Sequence, residues 1–190
     1  MKMFEKYNKL VIFDTETSSL SPDDGEIIEF GAIILTKPPK SNRFSEKTEV
    51  DVLIQNQKPI LNSHIHHITD EMCRERGITP KKFFDVLEPL FGFYEDTLLI
   101  AYNAPFDLRF IQAFLGDRKI ENDVLDLLKV AKARTGRFRG NKLCDMIEYY
   151  EVKEVENSHR ALDDVKATLE VMRAMAREKP DLENYIERRG

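Results

Sequence analysis

The amino-acid sequence predicts an α/β fold in which helices flank a mixed sheet of five strands. Apolar runs of strand length lie at 9–13 and 27–36, and residues 50–55 alternate between apolar and polar. Short connections between these three strands are typical of an antiparallel meander. Helical spacing of apolar residues then dominates, interrupted by short buried runs at 98–102 and 124–125. Strands first, then alternating helices and strands, is the pattern of a mixed sheet packed between helices.

Four segments show the apolar spacing of amphipathic helices, and a fifth helix is expected after the last strand. Pro80 suits the first turn of its helix, and Asp126 is expected to cap the helix that follows it. Residues 37–49 carry two prolines and many charges, which favours a loop. The four segments are 80–93, 105–115, 141–150 and 159–177.

The composition is typical of a soluble globular domain, with 42% hydrophobic and 33% charged residues. We expect one domain over 1–190, with a core over about 8–177 and a charged C-terminal segment, 178–190. No segment has the apolar length that crosses a bilayer, and the N-terminus lacks the apolar stretch of a signal peptide. Cys73 and Cys144 lack metal-ligand spacing and fit a reducing compartment. A cytoplasmic protein with no membrane partner is therefore predicted.

The net charge of −5 bears on the class of ligand. A protein that binds nucleic acid through phosphate contacts alone is usually basic. A nucleic-acid-binding role for this chain therefore requires bound metal ions and a local basic segment to neutralise the phosphates.

Two acids, Asp14 and Glu16, follow the first predicted strand. Side chains alternate along a strand, so both acids lie on one face. For Asp14 alone, a turn acid is an equally good interpretation. A turn does not need two acids on one face, and burying both is unfavourable unless a positive charge meets them.

Two more acids lie on or beside the apolar stripes of predicted helices. Asp107 shares a face with Phe110 and Phe114, where it is either a first-turn acid that faces the helix dipole or a ligand. Asp164 lies beside the apolar stripe of the last helix, five residues after His159. A histidine at a helix start is either a capping or surface residue or a catalytic one.

Carboxylates from two strand positions and two helices can converge at one edge of the sheet. An oxygen-rich site of this kind suits Mg²⁺ or Mn²⁺, and not zinc or copper. Two such ions would clamp the attacking and leaving oxygens of a phosphodiester displacement. Without ions, the clustered carboxylates would repel and raise one another's pKa.

Three short motifs contain these residues. In chain order they are Asp14-Thr15-Glu16-Thr17, Tyr102-Asn103-Ala104-Pro105-Phe106-Asp107 and His159-Arg160-Ala161-Leu162-Asp163-Asp164. This set resembles the signature of the His-containing DEDD (DEDDh) 3′→5′ exonucleases, and most of all the proofreading epsilon subunit of bacterial DNA polymerase III. The resemblance spans residues 14–164, nearly the whole chain, and rests on three motifs in order rather than on any one of them.

The resemblance implies a ribonuclease-H-like fold with strand order 3-2-1-4-5 and two bound Mg²⁺ or Mn²⁺ ions. It implies that His159 is the general base, since a histidine exchanges its proton near neutral pH. The matching metal-binding acids, which are also catalytic, are Asp14, Glu16, Asp107 and Asp164. The residues expected to bind the terminal nucleotide are Thr15, Leu20, His66, Asn103 and Phe106.

Several positions depart from the family pattern. Ser19 replaces a glycine of the first motif, and Tyr102 stands where many relatives have a histidine. His66 matches a segment written Val/Ile-His-Gly-Ile in the family, in which His67 replaces the glycine and is expected at the surface. For His66, a loop histidine without a role is the alternative.

A local basic segment interrupts the acidic chain. It contains Lys129, Lys132, Arg134, Arg137, Arg139 and Lys142. Of these, Lys132, Arg134, Arg137 and Arg139 are candidates to hold the phosphates of a strand. The solvated face of a helix and its loop is an equally good interpretation. Phe138 either stacks on a base or anchors the loop.

Together these features favour a metal-dependent 3′→5′ exonuclease that acts on DNA 3′ ends, most of all single-stranded ones, and releases nucleoside 5′-monophosphates. RNA or oligoribonucleotides are an alternative substrate, and a catalytically inert nucleic-acid-binding module is an alternative function. The sequence shows no polymerase domain, so we expect the chain to act alone or to dock on a DNA polymerase subunit.

Overall fold

A mixed sheet with strand order β3-β2-β1-β4-β5-β6 organises the protein. The computed structural model describes residues 3–91, 96–135, 140–153 and 159–188. The strands within these ranges are β1 (Lys9–Thr17), β2 (Ile27–Thr36), β3 (Glu46–Leu53), β4 (Thr97–Ala101), β5 (Asp123–Asp126) and β6 (Ile186–Glu187).

The central strand β1 pairs antiparallel with β2 and parallel with β4. Outward from β1, β2 pairs antiparallel with β3, and β4 pairs parallel with β5. The predicted meander and the predicted order of the first five strands are therefore confirmed. The short strand β6 adds a sixth position, antiparallel to β5.

Helices cover both faces of this sheet. They are α1 (Ser63–His66), α2 (Asp70–Arg76), α3 (Pro80–Leu87), α4 (Ala104–Leu115), α5 (Leu127–Thr135), α6 (Leu143–Tyr149) and α7 (Ala161–Glu178), with a 3₁₀ helix at Leu182–Tyr185. Asp126 caps α5 as predicted, because its Oδ1 accepts from the Leu128 N–H at 3.1 Å. Within the described part of the chain, every helix is too short or too polar to cross a lipid bilayer.

Alternation along β1 divides the core in two. Leu10 and Ile12 belong to the cluster that contains the apolar stripe of α7. Val11 and Phe13 belong to the cluster that contains the apolar residues of α3 and α4. The alternation continues over the next three residues. The side chains of Asp14 and Glu16 therefore point to the α7 side of the sheet, and that of Thr15 points to the α4 side.

The elements that differ from the sequence prediction include α3, β3 and β6. Helix α3 ends at Leu87, and Glu88 keeps helical backbone angles, because Pro89 has no N–H to continue the helical hydrogen bonds. Residues 92 and 93 of the predicted helix lie outside the described ranges. Strand β3 begins at Glu46, inside the predicted loop, because pairing with β2 orders a polar edge segment. The short strand β6 lies in the charged C-terminal segment, where a two-residue strand leaves no periodicity to detect.

The C-terminal segment is fastened to the domain by Arg134 of α5. Its side chain is 8% exposed and forms ion pairs with Glu178 and Asp181. The guanidinium also donates to the carbonyls of Met175, at 2.6 Å, and Lys179, at 2.9 Å. Met175 lies in the last turn of α7 and Lys179 is its C-cap residue. Each carbonyl also accepts a backbone N–H, from Lys179 and Asp181 respectively, so the guanidinium is a second, charged donor at the end of the helix.

We expect Arg134→Met to lower the free energy of unfolding by about 2 kcal/mol, since it leaves those carbonyls without a charged donor. Urea denaturation measures the change. The matched control is Arg173→Met on the exposed side of α7, where the Glu170 pair contributes little, about 0.5 kcal/mol or less. Equal losses in the two variants would contradict the anchoring role of Arg134.

Candidate active site

A cavity of about 670 Å³ opens beyond the carboxyl ends of β1 and β4, between α4, α5 and the start of α7. Most of the predicted site residues line it. They are Asp14, Thr15, Glu16, Asn103, Phe106, Asp107, Lys132, His159 and Asp164.

Three carboxylates form the centre of this site. One oxygen from each of Asp14, Glu16 and Asp164 lies within 4.8 Å of the other two. The first two come from β1, and Asp164 comes from the first turn of α7, which crosses the same face of the sheet. Residues 150 positions apart in the chain therefore meet as the motifs predict.

Asp107 reaches the same place from the opposite side of the sheet. It lies in the first turn of α4, and its Oδ1 accepts hydrogen bonds from the Thr15 N–H at 3.0 Å and the Thr15 hydroxyl at 2.7 Å. Thr15 separates Asp14 from Glu16 and points to the α4 side. Asp107 is thus attached to β1, although its oxygens lie outside the closest group of three.

All four acids hold their protons more tightly than isolated carboxyls. Burial, followed by the charges of Asp107 and Glu16, raises the pKa of Asp14 well above its usual range. Burial and the neighbouring acids raise the pKa of Glu16 to about 9 and that of Asp164 to about 7. Burial also raises the pKa of Asp107 to about 7, against the lowering effect of its bonds from Thr15. Excess negative charge is the dominant electrostatic property of the site.

A divalent cation fits this donor set. The ligand atoms are carboxylate oxygens, which hard divalent ions prefer. Asp164 Oδ1 is buried and, among the described residues, no hydrogen-bond donor meets it. An acceptor in that position is suited to bind a positive charge.

His159 directly precedes the helix that carries Asp164. Its side chain is exposed and lines the cavity, and its backbone has a positive φ of 52°. Positive φ is uncommon for residues with a side chain, and histidine is among those that adopt it more often.

Glu29 of β2 is a buried acid that the sequence analysis did not identify. It faces Glu16 across the β1–β2 pair and bonds to Arg160 and Ala161 at the start of α7. Gly31, opposite Asp14, lets α7 approach, since an added Cβ would lie 2.5 Å from backbone atoms of Ala161. The available signal was a lone acid within the apolar run of β2.

The residues predicted to bind a nucleotide are only partly brought together. Asn103 and Phe106 line the cavity, where Asp126 Oδ1 accepts from the Asn103 N–H at 3.0 Å and fixes the start of α4. Leu20 is 70% exposed in the loop after β1, and its carbonyl accepts from Arg109 at 2.6 Å. It stands beside α4 rather than among the residues that line the cavity.

His66 does not reach the cavity. It is fully buried, its Nδ1 accepts from the Ile68 N–H at 3.1 Å, and its Nε2 lies 3.3 Å from Asn62 Oδ1. Burial lowers its pKa. With both ring nitrogens engaged, His66 has no exposed edge for a nucleotide, against the prediction. His67 is exposed as predicted and has φ of 59°, a backbone region that glycine favours.

The basic segment does not form one surface. Lys132 and Lys142 are exposed and line the cavity, whereas Lys129 pairs with Glu187. Arg134 points to the C-terminal end of α7, so its predicted contact with a strand is wrong because its guanidinium is already engaged. The predicted strand-binding residues Arg137 and Arg139, and Phe138 between them, lie outside the described residues.

A comparison with protein-family models gives one decisive match. The model described as Exonuclease aligns with residues 11–172 and thus with all three motifs. The chain belongs to the exonuclease family. The matched range includes Asp14, Glu16 and Asp164, whose carboxylates converge at the end of β1.

Named relatives within this family are DNA polymerase III proteins. The chain is 30% identical over 167 residues to DNA polymerase III subunit epsilon of Treponema pallidum, covering 86% of this chain and 74% of that protein. It is 31% identical over 168 residues to the PolC-type DNA polymerase III of Caldanaerobacter subterraneus subsp. tengcongensis, covering 86% of this chain. The exonuclease chain spans only 11% of the length of that polymerase.

A solved structure shares the fold over nearly its whole length. Exonuclease X, in complex with 5′ overhanging duplex DNA, superposes with a TM-score of 0.67 at 19% identity. The match covers 93% of this chain and 96% of that one. The predicted ribonuclease-H-like architecture is thereby confirmed.

The raised pKa values predict how stability depends on pH without metal. A carboxyl whose pKa is higher in the folded state binds more protons there than in the unfolded chain. The contribution of these carboxyls to the free energy of unfolding is therefore greatest below about pH 4. It is lost as pH rises through about 7 for Asp164 and about 9 for Glu16.

Removing one repelling charge with Asp164→Asn should raise the metal-free free energy of unfolding at pH 8 by on the order of 1 kcal/mol.

Thermal unfolding at pH 5 to 9 in a chelating buffer measures this effect. Saturating Mn²⁺ at 100 times its dissociation constant should stabilise the unmodified protein by about 2.7 kcal/mol and the Asp164→Asn variant far less. The control is Glu170→Gln, which removes an acid further along α7 that pairs with Arg173. If Asp164→Asn and Glu170→Gln behaved alike, the electrostatic account of the site would be wrong.

Proposed function

We propose that this chain is a 3′→5′ exonuclease that hydrolyses the terminal phosphodiester of DNA and releases nucleoside 5′-monophosphates. The observation that carries the proposal is the convergence of Asp14, Glu16 and Asp164 within 4.8 Å, in a cavity also lined by Asp107 and His159. Membership of the exonuclease family supports it. A decayed binding module would have no need to retain all five groups in one cavity.

The four acids are proposed to hold two Mg²⁺ or Mn²⁺ ions. When bound, two such ions would supply the positive charge that stabilises the attacking and leaving oxygens of an in-line displacement. Asp14, Glu16 and Asp164 would hold ions directly, and Asp107 would join them while keeping its bonds to Thr15. On binding the ions, the carboxyl groups would release the protons that burial and mutual repulsion cause them to retain in the metal-free protein.

His159 is proposed to accept the proton of the attacking water. It lines the same cavity as Asp164 and its side chain is exposed, so it is open to a water bound in that cavity. Thr15, Asn103 and Phe106 line the same cavity and are proposed to hold the terminal nucleotide. Leu20, exposed on the loop after β1 beside α4, is proposed to contact the base of that nucleotide.

Lys132 and Lys142 are proposed to bind the phosphates of the strand that enters the cavity. Both are exposed on the α5–α6 side, opposite the carboxylates. Two cations there would draw in the polyanionic strand despite the net charge of −5.

Replacing His159 by alanine should lower kcat by about 10² to 10⁴-fold, since it removes the proton acceptor but no metal ligand. Asp14→Asn should abolish turnover and, unlike His159→Ala, also weaken Mn²⁺ binding measured by calorimetry. Turnover is measured as mononucleotide release from a labelled single-stranded DNA with Mg²⁺.

The matched control for the histidine is His64→Ala, which removes an exposed imidazole of α1. It should leave kcat unchanged. Full turnover in the His159→Ala protein would exclude His159 as the base, and tight Mn²⁺ binding with no turnover in the unmodified protein would favour an inert binding module.

DNA is the proposed substrate because the named relatives are DNA polymerase III proteins and the solved neighbour, exonuclease X, is in complex with DNA. Single-stranded 3′ ends, a cytoplasmic location and docking on a DNA polymerase subunit belong to the same proposal. Digestion of DNA and RNA strands of one sequence, side by side, tests the substrate, because RNA recognition requires contacts with the 2′-hydroxyl. Faster digestion of RNA would redirect the assignment to an oligoribonucleotide substrate.

A further inference from the structure

Helix α7 begins without a capping side chain of its own. Its N-cap residue, Arg160, makes no side-chain cap hydrogen bond. The first N–H groups of a helix lack partners within the helix and need an acceptor from elsewhere. In this protein the acceptor comes from β2: Glu29 Oε2 accepts from the Ala161 N–H at 2.9 Å.

The same carboxylate binds the Arg160 side chain. Arg160 Nε lies 2.9 Å from Glu29 Oε1 and 3.1 Å from Oε2, and Arg160 Nη2 donates to Oε1 as well. The Glu29 side chain is 1% exposed, so this ion pair is shielded from solvent on the acid side. A planar guanidinium bound through two of its nitrogens has one orientation, which a lysine could not reproduce.

Two residues of the candidate active site, His159 and Asp164, lie close in sequence to Arg160 of this ion pair. His159 directly precedes Arg160, and the Arg160 carbonyl accepts from the Asp164 N–H at 3.0 Å in the first turn of α7. Glu29 also faces Glu16 across the β1–β2 pair. Fixing the first turn of α7 to Glu29 therefore fixes Asp164 and His159 relative to the acids of β1.

These contacts of Glu29 with Arg160 and Ala161 also explain why Glu29 is not a fifth metal ligand. Its two oxygens already accept from Arg160 and Ala161, and the positive end of the helix dipole faces it. Among the described residues, one buried oxygen of Asp164 has no hydrogen-bond donor, whereas neither oxygen of Glu29 is left without one.

We propose that Glu29 and Arg160 form a positioning pair. Glu29 of β2 supplies the capping acceptor at the start of α7, and the pair thereby fixes the positions of Asp164 and His159 in the active site. This inference rests on the proposed function for its effect on turnover, but not for its effect on metal binding. Neither residue is among those that line the cavity, so both are proposed to act through residues that do.

The test replaces Glu29 by glutamine, which keeps the shape and one acceptor but loses the ion pair. Partners that orient metal ligands typically change metal affinity or activity by about 10 to 100-fold when removed. We expect Glu29→Gln to lower Mn²⁺ affinity and kcat by about that factor, with KM for the DNA strand changed by no more than about 3-fold. Arg160→Met should produce a similar loss, and the double variant should lose little more than either single variant.

Arg160→Lys should recover part of the Mn²⁺ affinity relative to Arg160→Met, because it restores the charge without the fixed geometry. The control is Ile33→Val, a buried change two positions beyond Gly31 on the same face of β2, which lowers stability but leaves the Glu29–Arg160 ion pair in place. It should leave Mn²⁺ affinity and kcat unchanged.

Unchanged Mn²⁺ affinity in Glu29→Gln, with folding intact by thermal denaturation, would overturn the proposal. So would additive losses in the double variant. If Mn²⁺ affinity fell as expected while the unmodified protein degraded no nucleic acid, the positioning pair would stand and the proposed exonuclease function would fall.

Discussion

The repulsion among carboxylates at the end of β1 is the interaction on which the site depends. Four acids are gathered where burial raises the pKa of each, so the metal-free site opposes its own ionisation. The rest of the structure holds them together against that repulsion. Asp107 is attached through Thr15, and α7 is attached through Glu29 and Arg160, so neither can move away from β1 without breaking buried hydrogen bonds.

The central position of β1 makes this arrangement possible. With β2 on one side and β4 on the other, β1 is buried on both faces and cannot shift its register without exposing Leu10 to Phe13. Its alternation then sends Asp14 and Glu16 to the helix α7 and Thr15 to the helix α4. A site built on one strand and two helix N-termini inherits the rigidity of the core.

Much of this could be predicted from the sequence because it depends on local patterns. The apolar run of β2 gives its boundaries as observed, and the three motifs identify the acids that meet. Contacts between distant residues left weaker signals. Glu29 is one acid in an apolar strand, and its partner Arg160 lies 131 positions away, so only the folded chain shows why it is buried. Arg134 and His66 were assigned by position, and both proved to be engaged in the interior rather than at the cavity.

The most direct test of the central claim is crystallographic. Crystals grown with Mn²⁺ and thymidine 5′-monophosphate, measured at the manganese absorption edge, would reveal the ions by their anomalous scattering. The account predicts peaks between Asp14, Glu16 and Asp164, with one oxygen of each within coordination distance. An occupied nucleotide site without an anomalous peak among these carboxylates, or manganese bound elsewhere on the domain, would contradict it.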